Sequence, residues 1–202
     1  RHHDLLSAAL HAAVRHDVLL RSPTERVEPP RTTQTEIGYY GPSELKELYV
    51  LVQDTWLEVI VKLAGSLGLR REEICGLRWD CVDFQQRKIH ICQARTAAGA
   101  VIVEKETKTR SSTRALYMTD DLYYLLKRER ARQAENRLRM GSLWKDTGLV
   151  AVDQRGRPYS PIAVSLAFTR FIRKHHLPKL TLHGLRHPYV KHTTKKYNSE
   201  KQ

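Results

Sequence analysis

Apolar residues recur at helical spacing through DLLSAALHAAVRHDVLL, residues 4–20, and predict one amphipathic helix. Pro23, Pro29 and Pro30 follow, then RTTQTE, so residues 29–36 read as a linker. One helix cannot bury its own apolar face. Residues 1–28 are therefore expected to be the C-terminal end of a helical domain, and the start at Arg1 rather than Met suits sequence lying upstream. A second domain is expected over 37–202. GPSELKEL puts Pro42 at a first helical position and Glu44 near the positive end of that helix. Leu45, Leu48, Leu51 and Val52 form its buried stripe. An apolar helix over 56–67 ends near Gly68, and LRREEICGLRWDCVDF predicts a short helix running into a turn, with Ile74 and Leu77 inward.

The period then changes from 3.6 to two. KIHIC (88–92), VIVE (101–104) and TRALYM (113–118) predict three short strands, with Gly99 in the first connection and the polar KTRSS in the second. Thr119, with Asp120 and Asp121, opens a long charged helix to Met140. VAVDQRGRPYSP reads as a short strand, a turn and a new cap, with Ser160 before Pro161. Leu166, Phe168, Phe171 and Ile172 give the following helix its apolar face. The expected fold class is α+β, mainly α-helical, with a small three-stranded antiparallel sheet.

Length and composition, 202 residues with 41% hydrophobic and 28% charged, suit one globular domain and part of another. Charge changes the picture. The net charge is +13, and residues 155–202 hold eleven Lys/Arg against one acid, Glu200. A one-sided basic excess is the footprint of a polyanionic partner, nucleic acid before anionic membrane. Cys75, Cys81 and Cys92 form no C-x-x-C pair, which argues against a zinc site or a disulfide framework and suits a reducing cytoplasm. Cys75 and Cys92 are expected in the core. No apolar run is long enough to span a membrane, and no signal peptide is visible.

Three groups carry candidate chemistry. In TLHGLRH, His183 and Arg186 sit three apart, so a helix capped by Thr181 puts both on one face. A guanidinium fork beside an imidazole N–H holds an anion well. In GLRREEI, Gly68 frees a turn, Arg70 falls at a helix start, and Glu73 is placed to hold its guanidinium. Lys108 lies in the polar turn ETKTRSST. Each has a plainer reading: a solvated basic face, a surface ion pair worth about 0–1 kcal/mol, a solvated hairpin lysine.

GLRREEICGLRWDCVDF, KTRSSTRAL, RGRPYSP and LTLHGLRH, in that order, resemble the tyrosine recombinases, the phage-type integrases, over residues 37–187. The resemblance implies strand cleavage and rejoining of duplex DNA by a tyrosine hydroxyl, with a 3′-phosphotyrosine intermediate and a free 5′-OH. It implies Arg70 as the first catalytic arginine, Glu73 as its supporting acid, Lys108 as the proton donor to the leaving 5′ oxygen, and His183 and Arg186 as the H-x-x-R pair. Tyr197, in TTKKY, resembles the nucleophile. No metal or other cofactor is implied; self-association on DNA and a place in a mobile genetic element are. Residues 1–28 resemble the end of the family's core-binding domain.

The pattern departs from the family after Arg186. Ten residues separate Arg186 from Tyr197, no Gly-His motif intervenes, and Pro188 opposes a continuous helix. Residues 188–202 are thus atypical or shortened. The alternatives are a DNA-binding remnant that has lost its nucleophile, and a basic RNA- or membrane-binding module. The last lacks both the aromatic stacking platform and the bulky amphipathic face it would need.

Overall fold

The computed structural model describes residues 2–28, 38–98, 101–106 and 114–186. The chain divides into two compact units, Arg1–Glu36 and Ile37–Gln202. In the first, helix α1 (His2–Arg15) precedes a 3-10 turn, Pro23–Arg26. The helix stops short of the expected residue 20 because Asp17 adopts the left-handed conformation, φ 57°. No residue of α1 is buried, and Leu5 and Leu6 are exposed.

The second unit contains α2 (Pro42–Leu51), α3 (Glu58–Leu67), α4 (Arg71–Gly76), α5 (Asp120–Met140) and α6 (Pro161–Lys174). Its strands are β1 (Val82–Asp83), β2 (Lys88–His90), β3 (Gln93–Ala98), β4 (Val101–Glu106) and β5 (Ala115–Tyr117). Helix α3 is apolar nearly all round, the mark of a buried helix, and it packs against α2, α4 and α5. Gly65 lets α2 close on it: a Cβ there would stand 2.3 Å from the Tyr49 hydroxyl. The helix ends on Gly68 at φ 62°, whose N–H donates to Ala64 O, a left-handed cap that glycine adopts without strain.

Helix α5 starts as expected, with Thr119 Oγ1 accepting from Leu122 N. Its inward stripe changes chemistry along its length. Leu122, Leu125 and Leu126 are followed by buried Glu129, Gln133 and Asn136. These polar groups are partnered: Gln133 Nε2 donates to Val150 O at 2.8 Å and to Glu129 Oε1 at 2.9 Å. Helix α6 buries Val164, Phe168 and Ile172. Leu166, expected on that face, is exposed, because the i, i+4, i+8 stripe excludes it.

The three-stranded antiparallel sheet runs β1–β2–β5. Residues 101–104 do not join it. They lie in β4, which pairs with β3 in a separate antiparallel hairpin. Cys75 is buried as expected, but Cys92 is exposed. Ile89 and Ile91 alternate inward, so the even-numbered positions turn out. One core within the second unit, including Leu48, Leu63, Ile74, Ile89, Leu126 and Phe168, joins helices α2–α6 to the sheet. No helix among the described residues is long and apolar enough to cross a membrane.

Candidate active site

The break between α3 and α4 builds the site. Leu69, 1% exposed, anchors the turn between Gly68 and Arg70. Arg70 is the N-cap of α4 and has no side-chain acceptor to give the helix end. Glu73 supplies it from one turn on. Its Oε2 accepts from Arg70 N at 2.7 Å and its Oε1 from Arg70 Nη1 at 2.9 Å. Arg114, just before β5, adds a two-pronged contact, Nη1 to Oε1 at 3.1 Å and Nη2 to Oε2 at 2.8 Å. Its own carbonyl accepts from Ile91 N, which fixes it to the strand end beyond β2.

Burial alone would raise the Glu73 carboxyl, whose side chain is 6% exposed. The hydrogen bonds from Arg114 and Arg70 outweigh it and hold the group below the ordinary value. Glu73 is therefore a fixed carboxylate whose lone pairs are spent on guanidiniums and a helix N–H.

Arg186 arrives from the other end of the chain. Leu182 and Leu185, both buried, seat a tight turn in which Thr181 accepts from Gly184 N through its carbonyl at 2.9 Å and its Oγ1 at 3.1 Å. Arg186 N then donates to His183 O at 3.2 Å. Gly184 fits because Leu180 and Gly38 press on it; a Cβ would stand 3.0 Å from Gly38 O. The Arg186 side chain donates through Nε to Gly68 O at 2.7 Å, which leaves its terminal nitrogens for another partner. Burial lowers its pKa, and the charges of Arg70 and Arg114 lower it further. Three guanidiniums thus share one electrostatic field around a single buried carboxylate, an excess of positive charge suited to an anion.

The structure therefore brings together Arg70, Glu73 and Arg186, with His183 exposed in the turn that carries Arg186. Lys108 and Tyr197 lie outside the described residues. Arg114 was missed by sequence reasoning. It stands at the head of a period-two strand, and no spacing rule links it to Glu73. No cluster of three or more His, Cys, Asp or Glu among the described residues could hold a metal ion. A concavity of about 1160 Å³ lies elsewhere, lined by the start of α3, by α5 and by residues 150–159. The Arg70 side chain is largely exposed beside the buried carboxylate, open to an anionic partner.

A mainly helical domain with a small antiparallel sheet and arginines gathered at its edge has the architecture of a tyrosine recombinase catalytic domain. The sequence matches the phage integrase family over residues 41–197, and the chain belongs to that family. It is 25% identical over 175 residues to a XerC-like tyrosine recombinase of Caldanaerobacter subterraneus subsp. tengcongensis, covering 80% of this chain and 44% of that protein. It is 25% identical over 187 residues to the ICEBs1 integrase of Bacillus subtilis, covering 92% of this chain and 50% of that protein. The chain thus spans about half the length of these curated relatives.

Among solved structures, the Tn1549 transposon integrase in complex with transposon right end DNA superposes with a TM-score of 0.76 at 20% identity, over 96% of this chain and 65% of that one. A lambda integrase dimer bound to a core site superposes at 0.57 with 16% identity, over 91% of this chain and 62% of that one.

Proposed function

We propose that this chain carries the catalytic domain of a site-specific DNA recombinase or integrase, which cleaves and rejoins duplex DNA through a 3′-phosphotyrosine intermediate. The observation that carries the proposal is the Arg186 Nε bond to Gly68 O, which ties the H-x-x-R turn to the residue two before Arg70. In this reading Arg70 and Arg186 bind the non-bridging oxygens of the scissile phosphate, and His183 adds a donor. They stabilise the negative charge gathered in the transition state. Glu73 is a positioning residue, spent on Arg70 and Arg114. Lys108 protonates the leaving 5′ oxygen, and Tyr197 is the nucleophile. The covalent intermediate conserves the bond energy, so rejoining needs no nucleotide cofactor.

Duplex DNA is the partner, and self-association on DNA goes with it, as in the lambda integrase dimer bound to its core site. Residues 1–28 serve as the C-terminal end of a core-binding domain, joined by the 29–36 linker. The family match reaches residue 197, so it includes the proposed nucleophile.

A DNA-binding remnant is the second reading, favoured by the ten residues between Arg186 and Tyr197. Suicide substrates carrying the cognate site, resolved on a denaturing gel, separate the two. A covalent adduct lost in Tyr197→Phe, Arg70→Ala and Arg186→Ala supports the recombinase. DNA binding with no adduct at any time supports the remnant.

A further inference from the structure

Two thiols beside the site have no part in this chemistry. Cys81 closes the 3-10 turn Trp79–Cys81 that leads into β1, and Cys92 follows β2 directly before β3. Val82 pairs with Ile89 in the antiparallel register. Cys81 immediately precedes β1 and Cys92 follows β2 by two residues, so in this antiparallel pair both sit at the same end of the β1–β2 ribbon. The Cys92 thiol donates to His90 O at 3.6 Å. Both cysteines line one small cavity, whose other walls include Glu73, His90 and Gln93. Each thiol is an electrostatic neighbour of the other, and neither is in a disulfide.

We propose that Cys81 and Cys92 form a dithiol site that exchanges with a low-molecular-weight disulfide, of which oxidised glutathione is the type, and closes into an intramolecular Cys81–Cys92 disulfide. This does not depend on the recombinase reading.

The steps balance. The exposed Cys92, as thiolate, attacks one sulfur of the small disulfide. A Cys92 mixed disulfide forms, and one small thiolate leaves and takes up the proton that Cys92 lost. Cys81, as thiolate, then attacks Cys92 Sγ. The Cys81–Cys92 bond forms, the mixed disulfide breaks, and a second small thiol leaves with the Cys81 proton. Two protein thiols lose two electrons, and one small disulfide gains them.

The order of attack follows from exposure. Burial, then the neighbouring Cys92 and Asp80, push the Cys81 thiol up to about 12, so it is the resolving sulfur. The contribution of Cys92 is relieved once Cys92 is in the mixed disulfide. Cys75, fully buried in the core, is closed to a small disulfide and stays out of the exchange. The bond would close at a sensitive seam: Gln93, next to Cys92, donates through Nε2 to Gly76 O on the helix that begins after Arg70.

The test uses the whole chain, reduced, exchanged under native conditions into excess oxidised glutathione, quenched in acid, denatured and labelled with a maleimide polymer. Before oxidation three labels add per chain. After it, one label is expected, on Cys75, together with a Cys81–Cys92 linked peptide in the digest. Cys81→Ser should instead hold one glutathione on Cys92, and Cys92→Ser should keep both of its remaining thiols. Three labels after oxidation, a wild-type chain that stops at the Cys92 mixed disulfide, or a crosslink between two chains would each overturn the proposal. The wild-type result decides even if a variant fails to fold.

Discussion

Arg114 grips Glu73 with both terminal nitrogens across a sequence separation of 41 residues, at 3.1 and 2.8 Å. Arg70 holds the same carboxylate from one turn away. Glu73 therefore fastens β5 to α4 at the point where the candidate site is assembled, and it decides where the two guanidiniums point.

Removing that carboxylate leaves two guanidiniums facing each other without a counter-charge. Glu73→Ala should cost about 3 kcal/mol, the low end for a broken buried pair, because Arg70 keeps much of its hydration. The shift of the urea midpoint reads this directly. The pH dependence has a defined sign. The folded-state carboxyl lies below its ordinary value of 4.5, so its stabilisation is complete above about pH 4.5 and is lost as pH falls through the folded value. The midpoint gap between wild type and Glu73→Gln should therefore narrow on acidification below 4.5. A gap that widens in acid would contradict the assignment.

Arg70 and Arg186 should separate catalysis from binding. In the proposed reaction each acts on one phosphate, whereas affinity would be spread over many Lys and Arg contacts. With radiolabelled suicide substrate, either alanine variant should cut whatever adduct forms by about a hundredfold or more, with a much smaller change in duplex affinity. Arg186→Lys should resemble Arg186→Ala, since a lysine cannot bond Gly68 O and still present a fork. Full activity in Arg186→Lys would remove the fork from the argument.

The helical part of this fold was legible because its stripes are long and periodic. α5 was expected over its full length, and Thr119 caps it as its type predicts. The sheet was only partly legible. QARTAA, which becomes β3, carries no alternating apolar pattern, so its pairing with β4 rests on register rather than on residue type. The buried polar stripe at Glu129, Gln133 and Asn136 was not legible, because burial of polar groups depends on partners such as Val150 O that no local pattern reveals. The pairing of Arg70 with Glu73 was readable, being one turn apart. Arg114 was not, because its partner is reached only through the tertiary fold.

At Gly76, α4 comes close against the backbone of β3. A Cβ there would meet three backbone positions at once, Arg95 N at 3.0 Å and Ala94 Cα and Gln93 O at 3.1 Å. Backbone cannot rotate aside as a side chain can. Gly76→Ala should therefore destabilise by about 1–3 kcal/mol, read as a lower urea midpoint. An unchanged midpoint would mean that the hairpin moves freely over the helix.

Binding to duplex DNA should be sequence-tolerant and should weaken steeply with salt, because Lys and Arg contacts release counterions from the phosphates. The measurement is the slope of log affinity against log salt concentration on random-sequence duplex. A flat slope, or no binding at low salt, would leave the net charge of +13 without the partner assigned to it.

The final prediction concerns turnover, and it is that the 202-residue chain binds DNA and forms a covalent adduct through Tyr197 only slowly and in small amount. In-line attack needs the tyrosine oxygen within bonding reach of phosphorus, and a misplacement of about 1 Å can cost a hundredfold. Arg186 is well fixed for its part, through Gly68 O. What should fix the nucleophile is less evident in the sequence: Pro188 opposes a continuous helix after His187, and no Gly-His segment precedes Tyr197. A helix continued to Tyr197 would also carry it roughly 16 Å from Arg186 at the usual rise per residue. A phenol with an ordinary pKa near ~10 is a weak nucleophile until it is positioned and activated. Incubation with suicide substrate over hours, followed by a denaturing gel, should give at most a faint adduct. An abundant adduct that Tyr197→Phe abolishes would reverse the expectation of slow turnover and mean that Tyr197 is well positioned in this chain.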